Sequence, residues 1–301
     1  MKGISVQKSL PNSGLNRSQR IAGPNEEESP ERNCPLNLAI GCVFRDEARF
    51  LREWIEFHRL MGVQRFYLVD DRSDDDYRDV VGPYVDEGVV QVFERPCPPA
   101  YTGRRWIQYQ HIVLGELCRE LRGVTRWLAL VDADEFLVPT AAPTVLDFLA
   151  DYEAAGAVHV EWRMFGTSGV RRLGAGELLT ERMCRRMATR PNPGKSVVKP
   201  HRVAEAGIHR CALEPGHAYV SAPADPSPGR GGMRVHHYWT RDEEFLLATK
   251  LPRTADVKGW ELTPEAVDFH RTAYGDVEDR LIERFLPGLR ERLGHHRTPR
   301  T

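Results

Sequence analysis

Nowhere in the 301 residues do about 18 apolar side chains run together, the length a membrane-crossing helix needs. The N-terminus also lacks an apolar h-region, so neither a signal peptide nor a membrane anchor is expected, and a cytoplasmic location is. The six cysteines (Cys34, Cys42, Cys97, Cys118, Cys184, Cys211) stand far apart, with no CxxC pair and no close Cys/His cluster. That argues against a structural zinc site and a compact disulfide framework, and for free thiols in a reducing compartment. An excess of either charge is missing too: 42 basic and 43 acidic side chains leave a formal net charge of −1. No global field draws nucleic acid or an anionic membrane, so any phosphate recognition is local. Internal repeats and coiled-coil heptads are absent as well.

What is present describes a globular chain: 41% hydrophobic and 28% charged residues are ordinary for a sizeable core. Residues 1–33 are polar, with the acidic run Glu26-Glu27-Glu28, and are expected to form a disordered tail. The folded part begins with Leu36 to Phe44, a continuous apolar run that predicts a strand covered on both faces. Leu51, Trp54, Ile55 and His58 then recur at helical spacing up to Gly62, which marks them as core rather than a sugar platform. Further strands are predicted at Phe66–Val69, Val89–Phe93 and Trp127–Val131, with helices at Tyr77–Glu87 and Arg104–Leu121 between them. Such βαβ units imply a mainly parallel sheet with helices on both faces, whose ligands sit beyond the carboxyl ends of the strands. Beyond about residue 156 the pattern loosens: strands are predicted at Val158–Trp162 and Met233–Tyr238, and helices at Arg241–Lys250 and Val277–Leu293.

Two acidic clusters directly follow strands, Asp70-Asp71 and Asp132-Ala133-Asp134-Glu135, and both land on that ligand rim. Two carboxylates one residue apart repel each other where water is scarce unless a cation intervenes. A hard divalent ion, Mn²⁺ or Mg²⁺, binds such groups and keeps positions open for phosphate oxygens.

The succession CVFRDEARFLREWIEFHRLMGVQRFYLVDDRSDDD, GRRWIQYQH, WLALVDADEFLVP, EWRMFGTSG, KSVVKPHRV and HHYWTRDEEFLLATK resembles the family 92 glycosyltransferases and their bacterial relatives in the broad glycosyltransferase-2-like group. The likeness covers about residues 36–252. It implies a GT-A (Rossmann-like) fold, a mainly parallel mixed sheet flanked by helices with a C-terminal helical elaboration, and transfer from a nucleoside-diphosphate sugar with inversion. Position by position it makes Asp132, Asp134 and His237 the metal ligands, with the choice between His236 and His237 open because relatives carry Asn before the His-Tyr pair. Phe44, Arg45, Asp70, Asp71, Ser73, Arg105 and Gln108 fall where relatives meet the nucleotide, and Lys195 lies in a basic stretch able to hold the diphosphate. Asp46-Glu47 and Asp70-Asp71-Arg72-Ser73 depart from the relatives' Asn-Glu and Asp-Asn-Asn-Ser.

Inversion needs a base near the acceptor hydroxyl. Glu161 and Asp225 lead the candidates, ahead of Glu135, Glu214 and His209. Trp162 and Phe165 are weighed equally as core and as a stacking surface for sugar. His201, His209 and His217 recur at intervals with no fixed ligand spacing and are read as ordinary histidines. The chain is thus expected to hold a GT-A catalytic domain over residues 34–252, its nucleotide-sugar half 34–140 and acceptor half 141–252, then a helical segment over 253–301. Its expected partners are a UDP-sugar and a glycan, lipid-linked or small-molecule acceptor. The alternatives are an inactive GT-A binder of nucleotide or carbohydrate, and a sugar nucleotidyltransferase. No Gly-rich triphosphate loop supports the latter.

Overall fold

The computed structural model describes residues 34–101, 103–188, 193–225 and 231–294; the expected tail over residues 1–33 lies outside them. The chain opens with β1 (Leu36–Phe44), α1 (Ala48–Leu60), β2 (Arg65–Asp70), α2 (Tyr77–Asp86), β3 (Val90–Glu94), α3 (Trp106–Glu120) and β4 (Thr125–Leu130). Shorter elements follow: β5 (Glu135–Pro139), α4 (Val145–Leu149), β6 (Ala157–Val160), β7 (Trp162–Met164), α5 (Leu179–Arg182) and β8 (Arg185–Arg186). Next come β9 (Lys195–Val198), β10 (Val203–Glu205), β11 (Ala212–Leu213), β12 (Tyr219–Ser221) and β13 (Met233–His237). A helical stretch then comprises α6 (Glu243–Phe245), a π turn (Leu246–Lys250) and α7 (Leu251–Lys258). The last elements are α8 (Pro264–Thr272), β14 (Val277–Glu278) and α9 (Leu286–Arg292).

Seven strands form the main sheet in the order β12-β6-β9-β4-β1-β2-β3. The block β4-β1-β2-β3 is parallel throughout, and β9 enters antiparallel between β4 and β6. This is the helix-flanked, mainly parallel mixed sheet expected, with helices closing the C-terminal part. Alternation along β1 splits its side chains between two cores. Leu38, Ile40, Cys42 and Phe44 join Leu51, Trp54, Ile55 and Phe57 of α1, while Ala39 and Val43 join Tyr109, Val113, Leu114 and Leu117 of α3. Fully burying each large apolar side chain stabilises by roughly 1.5–3 kcal/mol, so β1 is held from both faces of the sheet. Gly41 lets α3 come close, because a Cβ there would lie 3.1 Å from Leu117 Cδ1.

The second half departs from the expected elements. The strand predicted at Val158–Trp162 breaks at Glu161 into β6, in the main sheet, and β7, in a small sheet of order β5-β13-β7. The C-terminal helix predicted at Val277–Leu293 begins instead with the bridge-like β14, pairs with β8, and becomes helical only at Leu281. The helix predicted to start at Arg241 starts at Glu243, because the Asp242 side chain caps it by accepting from Phe245 N at 2.9 Å.

Candidate active site

β4 delivers Val131-Asp132-Ala133-Asp134 beyond the carboxyl end of a parallel strand, and β5 then leaves for the small sheet. There β13 runs antiparallel to β5, in a register that sets His237 opposite Glu135 and His236 opposite Phe136. Successive side chains of a strand face opposite ways. His237 therefore meets the acidic loop, while His236 is buried against Phe165. A slip of one residue would exchange them. Two side chains of α1 brace this loop and strand: Trp54 Nε1 donates to Glu135 O at 2.8 Å, and His58 Nε2 accepts from Leu137 N at 3.2 Å.

Asp134, Glu135 and His237 each offer a ligand atom, all within 4.8 Å of one another. His237 Nε2 lies 3.4 Å from Asp134 Oδ1, and its Nδ1 3.8 Å from Glu135 Oε1. Burial pushes the His237 pKa down to about 4, so the ring is neutral near pH 7. Glu135 Oε1 and His237 Nδ1 are buried, and neither has a hydrogen-bond partner among the described residues. Buried polar atoms are rarely left so. Two carboxylates and a neutral imidazole are a donor set suited to Mn²⁺ or Mg²⁺, and the orphaned atoms are what such an ion would satisfy. Glu135 enters this set through the β5–β13 register, which a linear pattern does not display.

Cations crowd the same floor. Lys250 Nζ, at the end of the π turn, lies 2.5 Å from Asp134 Oδ2, and Arg241 Nη1 lies 3.4 Å from it. Arg241 is fully buried and clamps the loop, donating to Glu47 Oε2 at 2.5 Å, Tyr238 O at 2.9 Å and Ala133 O at 3.1 Å. Arg253 adds contacts to Arg45 O and, at 3.4 Å, to Glu47 Oε1. Lys195 Nζ sits 2.8 Å from Asp132 Oδ2 and 3.4 Å from Glu135 Oε2. Burial alone would raise the Asp132 pKa, but the Lys195 ammonium, followed by His237 and Lys250, together outweigh burial and hold it low. At Glu135 burial prevails over Lys195 and pushes the pKa up. Burial, helped by Arg253, drops Lys250 to about 7.

The floor opens into a cleft of about 430 Å³. Of the residues expected at the site, Phe44, Arg45, Asp71, Asp132, Asp134 and His237 line it. Asp70 and Ser73 are not in its lining but shape the turn after β2: Asp70 Oδ1 accepts from Ser73 N at 2.9 Å, and Ser73 Oγ from Asp46 N at 2.9 Å. Asp71 is held by Cys97 N at 2.7 Å and Trp106 Nε1 at 2.9 Å. Arg105 and Gln108 are exposed, and Gln110, on the inner side of α3, lines the cleft in their stead. Lys195 stands behind Asp132, outside the lining.

Glu161 and Asp225 also lie outside the lining. Arg163 holds both, at 3.3 and 3.0 Å, and Arg234 contacts Asp225 as well. Burial would raise the Asp225 pKa, but these two guanidinium groups together outweigh it and keep it low, the opposite of what a base needs. Trp162 does face the cleft, its ring centroid 4.7 Å from that of His237. Phe165 is fully buried core. His201, His209 and His217 do not converge: His201 and His217 each contact Arg202 at 3.1 Å, and His209 Nδ1 contacts Gly194 O. All six cysteines are free thiols, and no described helix is long and apolar enough to cross a membrane.

Set against known proteins, residues 40–230 match the family model described as Glycosyltransferase family 92. The chain belongs to glycosyltransferase family 92. It is 29% identical over 208 residues to a family 92 protein of Oryza sativa subsp. japonica, covering 67% of this chain and 33% of that protein. To a family 92 protein of Ricinus communis it is 26% identical over 211 residues, 68% of this chain and 35% of that one. The chain thus spans about a third of the length of the curated relatives it matches. Among solved structures it is similar to S. aureus TarS 1–349, with a TM-score of 0.37 and 10% identity over 85% of this chain and 73% of that one. It is also similar to glucosyl-3-phosphoglycerate synthase from Mycobacterium tuberculosis in complex with Mn²⁺, UDP and glucosyl-3-phosphoglycerate, with a TM-score of 0.31 and 15% identity over 60% and 64%.

Proposed function

We propose that this chain transfers a sugar from a nucleoside-diphosphate sugar, most simply a UDP-sugar, to an acceptor hydroxyl, using a divalent cation held by Asp134, Glu135 and His237. The observation that carries the reading is the pairing of Glu135 with His237, which gathers two carboxylates and a neutral imidazole around unpartnered atoms on the floor of a cleft. A bound Mn²⁺ or Mg²⁺ would supply positive charge where the leaving diphosphate becomes more negative. The chain's own contribution is preorganisation. Arg241 and Trp54 fix the loop, Lys250 and Arg253 bring cationic groups to the cleft wall, and Asp71 with Trp106 shapes the end that takes the nucleoside. Asp132, expected as a ligand, lines the cleft but is paired with Lys195 behind it and stands outside the cluster of Asp134, Glu135 and His237.

The test is Asp134→Asn. Turnover of UDP-sugar is expected to fall by at least 100-fold with an unchanged circular dichroism spectrum. Near-normal, chelator-insensitive turnover in that variant would refute the reading. The contact between Lys250 and Asp134 favours a second one, in which the lysine ammonium itself neutralises the diphosphate and no ion is needed. Full activity of the unmodified protein in excess chelator, lost in Lys250→Ala, would establish the second reading over the first.

A further inference from the structure

We propose that the outer wall of the cleft, formed by Trp239, His270 and Trp260, is a stacking platform for a saccharide acceptor; the assignment rests on the donor reading above. Trp239 follows β13 just past His237 and lines the cleft. Its ring centroid is 5.1 Å from that of His270, and the Trp260 ring stacks on the same His270 at 6.0 Å, the planes only 12° apart. The Trp260 indole is 49% exposed, although Trp54 and Trp127 of the same chain are fully buried. An aromatic face left open in a concave wall is a surface awaiting a partner.

The wall is anchored on the β7 side of the cation cluster. Thr167 Oγ1 donates to Arg271 O at 3.4 Å. Gly166 packs directly on the backbone that follows α8, where a Cβ would meet Ala273 O at 2.6 Å. Asp71 and Trp106, by contrast, belong to the β2 side of the cleft. A donor laid over the β2 side therefore points its sugar past His237 towards the aromatic wall.

The chemistry of the wall selects a carbohydrate. A pyranose presents a C–H face to an indole and hydroxyls around its edge. Trp162 Nε1 and His270 Nδ1 are buried beneath this surface without a hydrogen-bond partner among the described residues, so the open indole face of Trp260 carries the assignment. Trp260 and His270 lie beyond both the family match and the wider resemblance, whereas Trp239 belongs to the HHYWTRDEEF stretch, so the open part of the platform lies in the stretch that the family pattern leaves undescribed.

The experiment uses the full chain with UDP and Mn²⁺ and titrates tetrasaccharides of glucose, galactose, mannose and N-acetylglucosamine. Tryptophan fluorescence and saturation-transfer NMR are the readouts. At least one sugar is expected to bind, with Trp260→Ala weakening it tenfold or more, Trp260→Phe restoring most of the affinity, and UDP affinity moving less than twofold. Three results overturn the platform: UDP binds but no saccharide does, Trp260→Ala binds saccharides normally, or Trp260→Ala loses UDP itself. Failure of the unmodified protein to bind UDP would bring down the donor reading, and the platform with it.

Discussion

Replacing Lys250 by Met puts the shared use of Asp134 to a quantitative test. In the structure the Lys250 ammonium lies 2.5 Å from Asp134 Oδ2, and both side chains are largely buried. Removing one partner of a buried ion pair costs about 3–5 kcal/mol, most of it the penalty on the charge left behind. Arg241, still 3.4 Å away, softens that loss. A destabilisation of about 2 kcal/mol is expected, or a Tm about 4–8 °C lower for a domain of this size, measured in chelator. The carboxylate so released is the one an ion would take. Mn²⁺ titrated calorimetrically into nucleotide-free protein should therefore bind Lys250→Met on the order of 30-fold more tightly than the unmodified chain. Adding Mn²⁺ should also raise the Tm of the variant by more than that of the parent. Equal Mn²⁺ affinities and equal Tm increments in the two proteins would refute the idea that lysine and ion compete for one oxygen.

Acid should weaken the fold through His58. Its Nδ1 contacts Trp54 O at 2.9 Å while Nε2 accepts from Leu137 N, so both nitrogens are satisfied only in the neutral ring. Burial lowers its pKa from 6.5 to about 3. A group depressed in this way contributes stability that is complete above pH 6.5 and is lost progressively as pH falls towards 3. Urea unfolding of His58→Gln between pH 6 and 5 should show a pH slope shallower by about 1 kcal/mol per unit; identical slopes would mean that His58 is already protonated or does not sense burial. Gly41→Ala sets a methyl 3.1 Å from Leu117 Cδ1, which must give by a few tenths of an ångström, so a cost of at most about 1 kcal/mol is expected, seen as a slightly lower Tm with unchanged UDP affinity. A variant of wild-type stability would show that α3 does not rest on that glycine.

The legible part of the chain was the part where one signal suffices. β1 to β4 are apolar runs because both faces of the sheet are covered, and the strand boundaries predicted for β1 are those observed. The acidic pair after β4 stood out for the same reason, since carboxylates ending a buried run are conspicuous. Beyond residue 156 the controlling facts are tertiary. Lys195-Ser196-Val197-Val198 reads as part of a basic stretch, yet it is β9, inserted antiparallel between β4 and β6, with Lys195 buried because Asp132 neutralises it. Glu135 and His237 become neighbours through strand register, as does the distinction between His236 and His237. Lys250 reaches Asp134 across 116 positions of sequence, and no local period announces it. Glu161 follows the strand after the acidic pair and Asp225 lies on a Pro/Gly-rich loop, positions that suit a base in sequence, but Arg163 claims both.

The π turn at Leu246–Lys250 carries a mechanical consequence. Relaxing its wide turn to regular α geometry would drop one residue from the winding and rotate everything after it by about 100°. Lys250 and Arg253 would swing off Asp134 and Arg45 together, since α7 continues directly from the turn. The segment would then work as a ratchet pawl: one step of helical winding, made at the edge of the cleft, would seat or lift two cationic arms at once.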